Sequence, residues 1–597
     1  MAIYDQVMIS APYGAVFSDG PPTFEYFKRI VRSLSRTDTL FWCARLNLIL
    51  ADPNLDHRAK QQQFLDMFFT AQQIDSLNKF AEERGGSQRV GVVHRGTLLE
   101  LIRWACLLCP EHPDDGETFN KPETLDAFVR ALLMANDFWA ERVYRATFFE
   151  GASIDEKRRN ALRSIRYAMG ETRCDPRQFE ALSRGVELFQ RLLPEYYANF
   201  AEEFFKSTGM RLDEYYLCLC MLMVHYLNSE IKSGIGGREQ PGIFTLKGIR
   251  DAAPHMESLF ARFLYLRSDT PEEFAAAFWS KGQEEPDEFE CEPPLKPLRE
   301  RPVLRATDGR MVVLDPVCFA EAASVGPLFL VLSETNQKNL FPAFGYAFEA
   351  YVGSIFRRMY PDPGSHLTKR LYYDVRDAKN AGIQIADFII DDVSDIVVIE
   401  AKAVWMQDAK MWQDDPDVLV AHLRAKYGGE EKEKGYAQLA RNIGKISSLE
   451  WQPAGVDLTK TKRIFPVLLV HDEMLDAPVF GYFLAEEFSH ALRPDSDAGS
   501  WMTKGDFRVA PLIVMTIGDL ECLESSLNKF TMIALLKAYS SATPDRLVSL
   551  NNFLAGNSDE FPLIHNKSLA SRCEEILQDC MRRVFPNKTH ETVPVRE

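Results

Sequence analysis

The sequence predicts an α+β multidomain protein, with a large, mainly helical N-terminal region followed by an α/β domain built on a central mixed sheet. Three observations predict it. Apolar residues recur at three- and four-residue spacing through most of residues 1–282, the period of helices that bury one face. From Ile383 onward, short runs rich in Ile and Val are bounded by polar breaks and interleaved with helical segments, the pattern of a strand-and-crossover domain. Between these halves lies a Pro- and Glu-rich stretch, Gln283–Arg301, with the composition of a boundary. At 597 residues the chain has length for two or three domains, each able to bury its own core.

Taken in order, helices are expected over Thr23–Leu50, Arg58–Glu83, Leu98–Leu108, Leu125–Arg145, Glu156–Met169 and Phe179–Phe204, punctuated by Pro and Gly. A hairpin follows the boundary, because Asp308-Gly309 supplies turn chemistry between two strand-like runs. This hairpin is expected to open the C-terminal half. Phe344, Phe348, Tyr351 and Ile355 form the stripe of one helix, and His366–Val375 reads as a strand. Lys434–Leu449 reads as a further helix. Arg463–Asp472 and Ala510–Leu523 read as buried strands, the second leading into a helix. The tail beyond Glu524 is again helical. The expected division is 1–282 (helical recognition or regulatory region), 283–335 (linker and hairpin), 336–540 (α/β domain) and 541–597 (helical tail).

The chemistry concentrates in GIQIADFIIDDVSDIVVIEAKAVW, Gly382–Trp405. Two apolar runs, Ile383–Ile390 and Ile396–Val404, flank a polar break at Asp391–Asp395 and read as a β-hairpin. Side chains alternate across a strand, so Glu400 and Lys402 share one face while Ile399, Ala401 and Ala403 take the other. A turn centred between Val393 and Ser394 sets Asp387 directly opposite Glu400. Opposed Cβ atoms are only about 4.5–5.5 Å apart, so the two carboxylates repel. A divalent cation between them makes the arrangement favourable. Lys402, one pleat on, is then placed to hold a water or stabilise charge on a phosphate. Two acids and a lysine around a metal suit phosphodiester hydrolysis.

This pattern resembles the PD-(D/E)xK nuclease superfamily, whose fold is restriction-endonuclease-like. The superfamily motif is an Asp on one strand and Glu-x-Lys on the next, here Asp387 and Glu400-Ala401-Lys402; Ala386 stands where a Pro often precedes the Asp. The resemblance covers roughly Phe341–Ser540. It implies a metal site of Asp387, Glu400 and the Ala401 carbonyl, holding Mg²⁺ with Mn²⁺ as a possible substitute, and Lys402 as the group that orients the attacking water. It also implies catalytic places for Glu349, on the helix before the hairpin, and for Gln438, on the helix after it.

Composition narrows the rest. The net charge of −17 disfavours a general nucleic-acid binder, since phosphate binding relies on Lys and Arg. Cations nevertheless gather near the motif: Arg357, Arg358, Lys369, Arg370, Arg376, Lys379, Lys402, Lys410, Arg441, Lys445, Lys460, Lys462 and Arg463. A local basic groove on an acidic body is the expectation. The eleven cysteines form no framework; Cys106 and Cys109, with His112 as a conceivable third ligand, read as core thiols rather than a zinc site. No phosphate loop, nucleophile elbow, secretory signal or membrane-length apolar run is present, and a cytoplasmic protein without a membrane partner is expected.

The expected function is a metal-dependent endonuclease, a hydrolase acting on nucleic acid with DNA favoured over RNA, in the manner of a bacterial anti-phage effector. The helical region is expected to contact a protein partner or a second copy. The alternative is a catalytically silent protein that keeps the nuclease fold as an assembly or nucleic-acid-binding module.

Overall fold

A computed structural model describes residues 9–586, apart from 21, 53–54, 56, 84–89, 112–120, 148–177, 228–241, 279–294, 335–338, 362–369, 407–415, 430–432, 494–500, 544–547 and 565. Helices dominate the first half, as the periodicity predicts, but several are broken. Thr23–Leu50 is two helices, Phe24–Val31 and Arg36–Leu50. Arg58–Glu83 is divided at Thr70, which accepts from the Gln73 N–H while the Gln73 side chain accepts from the Thr70 N–H. That capping box starts a new helix. Phe179–Phe204 resolves into Gln178–Val186, a wider turn over Glu187–Leu192, the short Leu193–Tyr196 and the start of Phe200–Thr208. The expected helix Glu156–Met169 lies outside the described residues.

The hairpin at Asp308-Gly309 corrects the expected boundary. Its strands, Val303–Arg305 and Arg310–Val313, turn at Gly309 with φ +81. Their outer edges pair with Ser268–Asp269 and Phe244–Thr245, which makes a four-stranded sheet. A bare hairpin leaves both edges open; this one closes them with strands of the N-terminal region, to which it therefore belongs. The C-terminal helix Lys567–Val584 also returns to that region, where Arg572 reaches Glu187 at 3.5 Å and Arg583 reaches Asp213 at 3.1 Å.

The second half holds a seven-stranded mixed sheet. Its strands are β1 (Leu371–Arg376), β2 (Gln384–Asp391), β3 (Asp395–Lys402), β4 (Arg463–Val470), β5 (Met502–Lys504), β6 (Phe507–Val509) and β7 (Ile513–Thr516). β1, β2 and β3 form an antiparallel meander, β4 runs parallel to β3, and β6 and β7 both pair in parallel with the far edge of β4. Three steps on β4, from Ile464 to Val467, face four from Val509 to Ile513. This bulge lies beside Pro466, which has no N–H to give.

Two parallel crossovers need helices. Gly435–Ser447 lies in the connection from β3 to β4, and Pro478–Leu492 in the one from β4 to β6. Because both steps move the same way across the sheet, right-handed crossovers put both helices on one face. There Leu439, Ile443, Phe480 and Leu484 pack with Val398 and Leu468. The helix α1 (Leu340–Met359) covers the other face, where its stripe Phe344, Phe348, Tyr351 and Ile355 is buried with Ile399, Phe465 and Val467. Phe189 of the helical region stacks on Phe344, centroids 5.6 Å apart. The site-bearing helix and the N-terminal region thus share one core.

Candidate active site

The hairpin keeps the register that its sequence predicts. Phe388 pairs with Ile399, Ile389 with Val398 and Ile390 with Val397, and continuing that register sets Asp387 opposite Glu400. The turn is made by Val393 at φ +62, with the Val393 N–H donating to Asp391. A β-branched residue is rarely held there, so the strands on either side impose the turn.

Past Phe388 and Ile399 the strands part. The Ala401 N–H, with no backbone acceptor on β2, donates instead to Asp387 Oδ2 at 2.8 Å. Its other oxygen, Oδ1, accepts from the Gln384 amide at 3.1 Å. The N–H and C=O of one residue in an extended strand point to the same side, so the Ala401 carbonyl also faces the opening beside Asp387. β3 is held from the other side by β4, whose continuation donates the His471 N–H to the Lys402 carbonyl at 3.1 Å. The His471 ring is buried among Phe344, Phe348 and Trp405, and among the described residues both ring nitrogens lack hydrogen bonds. Burial, followed by the charge of Arg184, pushes its pKa down to about 3, so it stays neutral.

Glu400 and Lys402 share a face as expected, with Lys402 Nζ 2.5 Å from Glu400 Oε1. Glu400 is 1% exposed, and among the described residues its second oxygen, Oε2, has no hydrogen-bond partner. Burial, and then the charge of Asp387, push its pKa up to about 8. Asp387 is also raised, chiefly by burial. Burial by itself would lower Lys402, but Glu400, Asp387 and Glu349 more than offset it and hold the ammonium charged. Glu349 on α1 joins this group: burial, then Asp387, push its pKa up to about 7.

Sequence reasoning missed two members. Asp374 on β1 lies opposite Asp387 by the register of its neighbours, and its charge acts on both Asp387 and Glu349. Its backbone is left-handed, φ +44, just before the bulge at Val375–Arg376. Gln384, the donor to Asp387, is the other. The signal for Asp374 was an acid breaking an otherwise aromatic strand; Gln384 left none. Gln438 lies one turn before Asn442, whose amide donates to the Ile385 carbonyl at 2.7 Å. Among the described residues, no side-chain hydrogen bond joins Gln438 to Lys402, whose Nζ donates to Glu400.

Most of the cations expected to form a basic groove have acidic partners. Arg358, Arg370, Arg376, Lys402, Arg441, Lys445, Lys460 and Arg463 all form ion pairs with nearby acids. Lys369 and Lys410 lie outside the described residues. Arg357, Lys379 and Lys462 remain without an ion pair among the described residues. Cys43, Cys106 and Cys109 are buried free thiols, raised by that burial; His112 lies outside the described residues. No described helix is long and apolar enough to cross a membrane.

A hard divalent cation fits this donor set. It offers two carboxylates, one of them with an unsatisfied buried oxygen, and an adjacent carbonyl. Among the described residues no group of three His, Cys, Asp or Glu side chains is arranged to hold a metal. Mg²⁺ commonly takes one or two carboxylates, keeping waters and substrate phosphate as its other ligands. Comparison with protein-family models, curated proteins and solved structures found no match.

Proposed function

We propose that the protein is a metal-dependent nuclease of the restriction-endonuclease-like class, hydrolysing phosphodiester bonds at Asp387, Glu400 and Lys402. The observation that carries this reading is Glu400: it is buried and crowded by Asp387, with one oxygen left unsatisfied at the point where β2 and β3 separate. A strand built only for stability gains nothing from such an arrangement, because an unpaired buried acid is costly. The order of α1, the three-stranded meander, a crossover helix and a parallel β4 also supports the class.

Asp387 and Glu400, with the Ala401 carbonyl, would hold the ion. When bound, Mg²⁺ or Mn²⁺ would supply a water of lowered pKa and offset charge on the scissile phosphate. Ala401 N–H and Gln384 fix the Asp387 carboxylate, so it needs no rearrangement to serve. Lys402, released from Glu400 Oε1, would orient the attacking water and stabilise charge building on the phosphate. Glu349 and Asp374 enlarge the acidic rim beside Asp387. Incubating the full chain with single- and double-stranded DNA and RNA, in Mg²⁺, Mn²⁺ or EDTA, tests the reading. Cleavage with either metal and none in EDTA is expected. No cleavage of any substrate, together with no metal uptake by calorimetry, would favour the catalytically silent alternative.

A further inference from the structure

The residues around this site include aromatic rings that the core does not use. Tyr346 is 57% exposed, three residues before Glu349 on α1 and therefore on the same helical face. Its ring lies against Tyr196, 44% exposed, with centroids 5.8 Å apart. Tyr196 comes from the N-terminal region, so that region supplies part of the surface. Further along this side of α1, after Gly353, stands the exposed Arg357. Its guanidinium lies over the Tyr373 ring at 5.8 Å and makes no ion pair with any described residue, whereas its neighbour Arg358 is bound to Glu524. Tyr373 is 39% exposed, precedes Asp374 and pairs with Phe388 beside Asp387.

Two aromatic platforms therefore lie along α1, one before Glu349 at Tyr196–Tyr346 and one after it at Arg357–Tyr373, and Glu349 is the residue of this helix whose charge couples to Asp387. Glu349 lies between them on the helix. From Tyr346 to Arg357 the helix advances roughly 16 Å at about 1.5 Å per residue, room for a few nucleotides. Surfaces that hold single strands combine stacking rings with cations that track the backbone. Duplex readers rely on a dense basic face, whereas among the described residues most of the cations near this site are paired with acids. Stacked bases need only ring faces, and an acidic protein can offer those.

We infer that this site takes single-stranded nucleic acid, with unpaired bases stacking on Tyr346 and Tyr373 on either side of the scissile phosphate and Arg357 contacting the backbone. This inference rests on the nuclease reading for the identity of the site, but its test does not depend on cleavage. Binding of the full chain to fluorescent oligothymidylate, oligouridylate and a mixed-sequence DNA duplex of equal length is measured by anisotropy in EDTA at low salt. At least tenfold tighter binding of the single strands is expected, and the DNA and RNA arms show which sugar is preferred. Tyr346→Ala and Tyr373→Ala should each weaken single-strand binding about fivefold to a hundredfold, the range for losing one stacked base. Tyr346→Phe should keep it. Arg357→Ala should lower the salt dependence by about one phosphate contact. These side chains are exposed, and unchanged thermal unfolding verifies that the variants fold; Tyr373→Ala, on another element, stands in if Tyr346→Ala does not. Duplex binding equal to single-strand binding, or wild-type affinity in both alanine variants, overturns the inference. Metal-dependent cleavage is scored separately. Tyrosine-dependent single-strand binding with no cleavage in any metal would sink the nuclease reading and leave the platforms standing.

Discussion

Strand β3 carries a buried acid near each end, and the two have opposite fates. Asp395, at its start, is 2% exposed and receives Arg463, Lys537 at 2.8 Å and the Ser394 hydroxyl at 2.9 Å. Burial would raise its pKa, but these donors outweigh burial and hold it below the usual carboxylate range. Glu400, five residues on, is as deeply buried. Among the described residues its one cation is Lys402, shared with Asp387 and Glu349, and its pKa is pushed up to about 8. Burial is common to both and decides neither. What differs is the supply of partners: a buried acid with a full complement holds the fold, and one that is short of partners is poised to take a ligand.

The largest expected effect breaks the pair at its chemical end. Asp387→Asn and Glu400→Gln should each abolish metal-dependent cleavage while thermal stability without metal holds or rises, since each removes a like charge from the cluster. Asp395→Ala should do the reverse. It removes the shared partner of Arg463 and Lys537, whose side chains are more than a third exposed and stay hydrated, and should cost about 1–2 kcal/mol, read by denaturant unfolding, with metal affinity by calorimetry unchanged. Wild-type cleavage in both Asp387→Asn and Glu400→Gln would remove the chemical end altogether.

Lys402→Ala is expected to lower cleavage by about a hundredfold or more, as for other lost transition-state donors, while calorimetry still detects the metal. Lys402→Arg should rescue poorly, because a planar fork does not replace a compact ammonium. Loss of metal affinity with full activity at saturating metal would give Lys402 a different role.

The two ends should also respond to pH with opposite signs. Glu400 at about 8 and Glu349 at about 7 lie above the roughly 4.3 of an unfolded Glu. Within that window the folded state binds more protons than the unfolded one, so their contribution to stability is full below about 4.3 and lost as pH rises through 7 to 8. Melting without metal should therefore fall across this range, and Glu400→Gln should flatten the decline. Asp395, lowered in the folded state, instead contributes above about 3.9 and loses its share on acidification. A flat profile in the parent protein between pH 5 and 8 would argue against the crowded cluster.

The smallest expected effect is that of Gln438→Ala. With no side-chain hydrogen bond to Lys402 among the described residues, it should change cleavage by less than about threefold. A tenfold loss in single-turnover rate would place it beside the lysine after all.

The sequence by itself determined the hairpin and its register. Two apolar runs, Ile383–Ile390 and Ile396–Val404, on either side of the polar Asp391–Asp395 mark a hairpin, and a turn centred between Val393 and Ser394 sets its register; both faces of these strands are buried, so the apolar pattern does not fix it. The face shared by Glu400 and Lys402 follows from the period of two in a strand. The stripe of α1, and with it the position of Glu349, was legible for the equivalent reason in a helix. Only the tertiary structure decided where β2 and β3 part and that Ala401 N–H turns to Asp387. Asp374 came to the site through a left-handed residue and a bulge, which no periodicity encodes. The hairpin at Gly309 joined the N-terminal sheet because its edges needed partners from strands over thirty residues away. Local periodicity sets which face a residue takes; long-range pairing sets what that face meets.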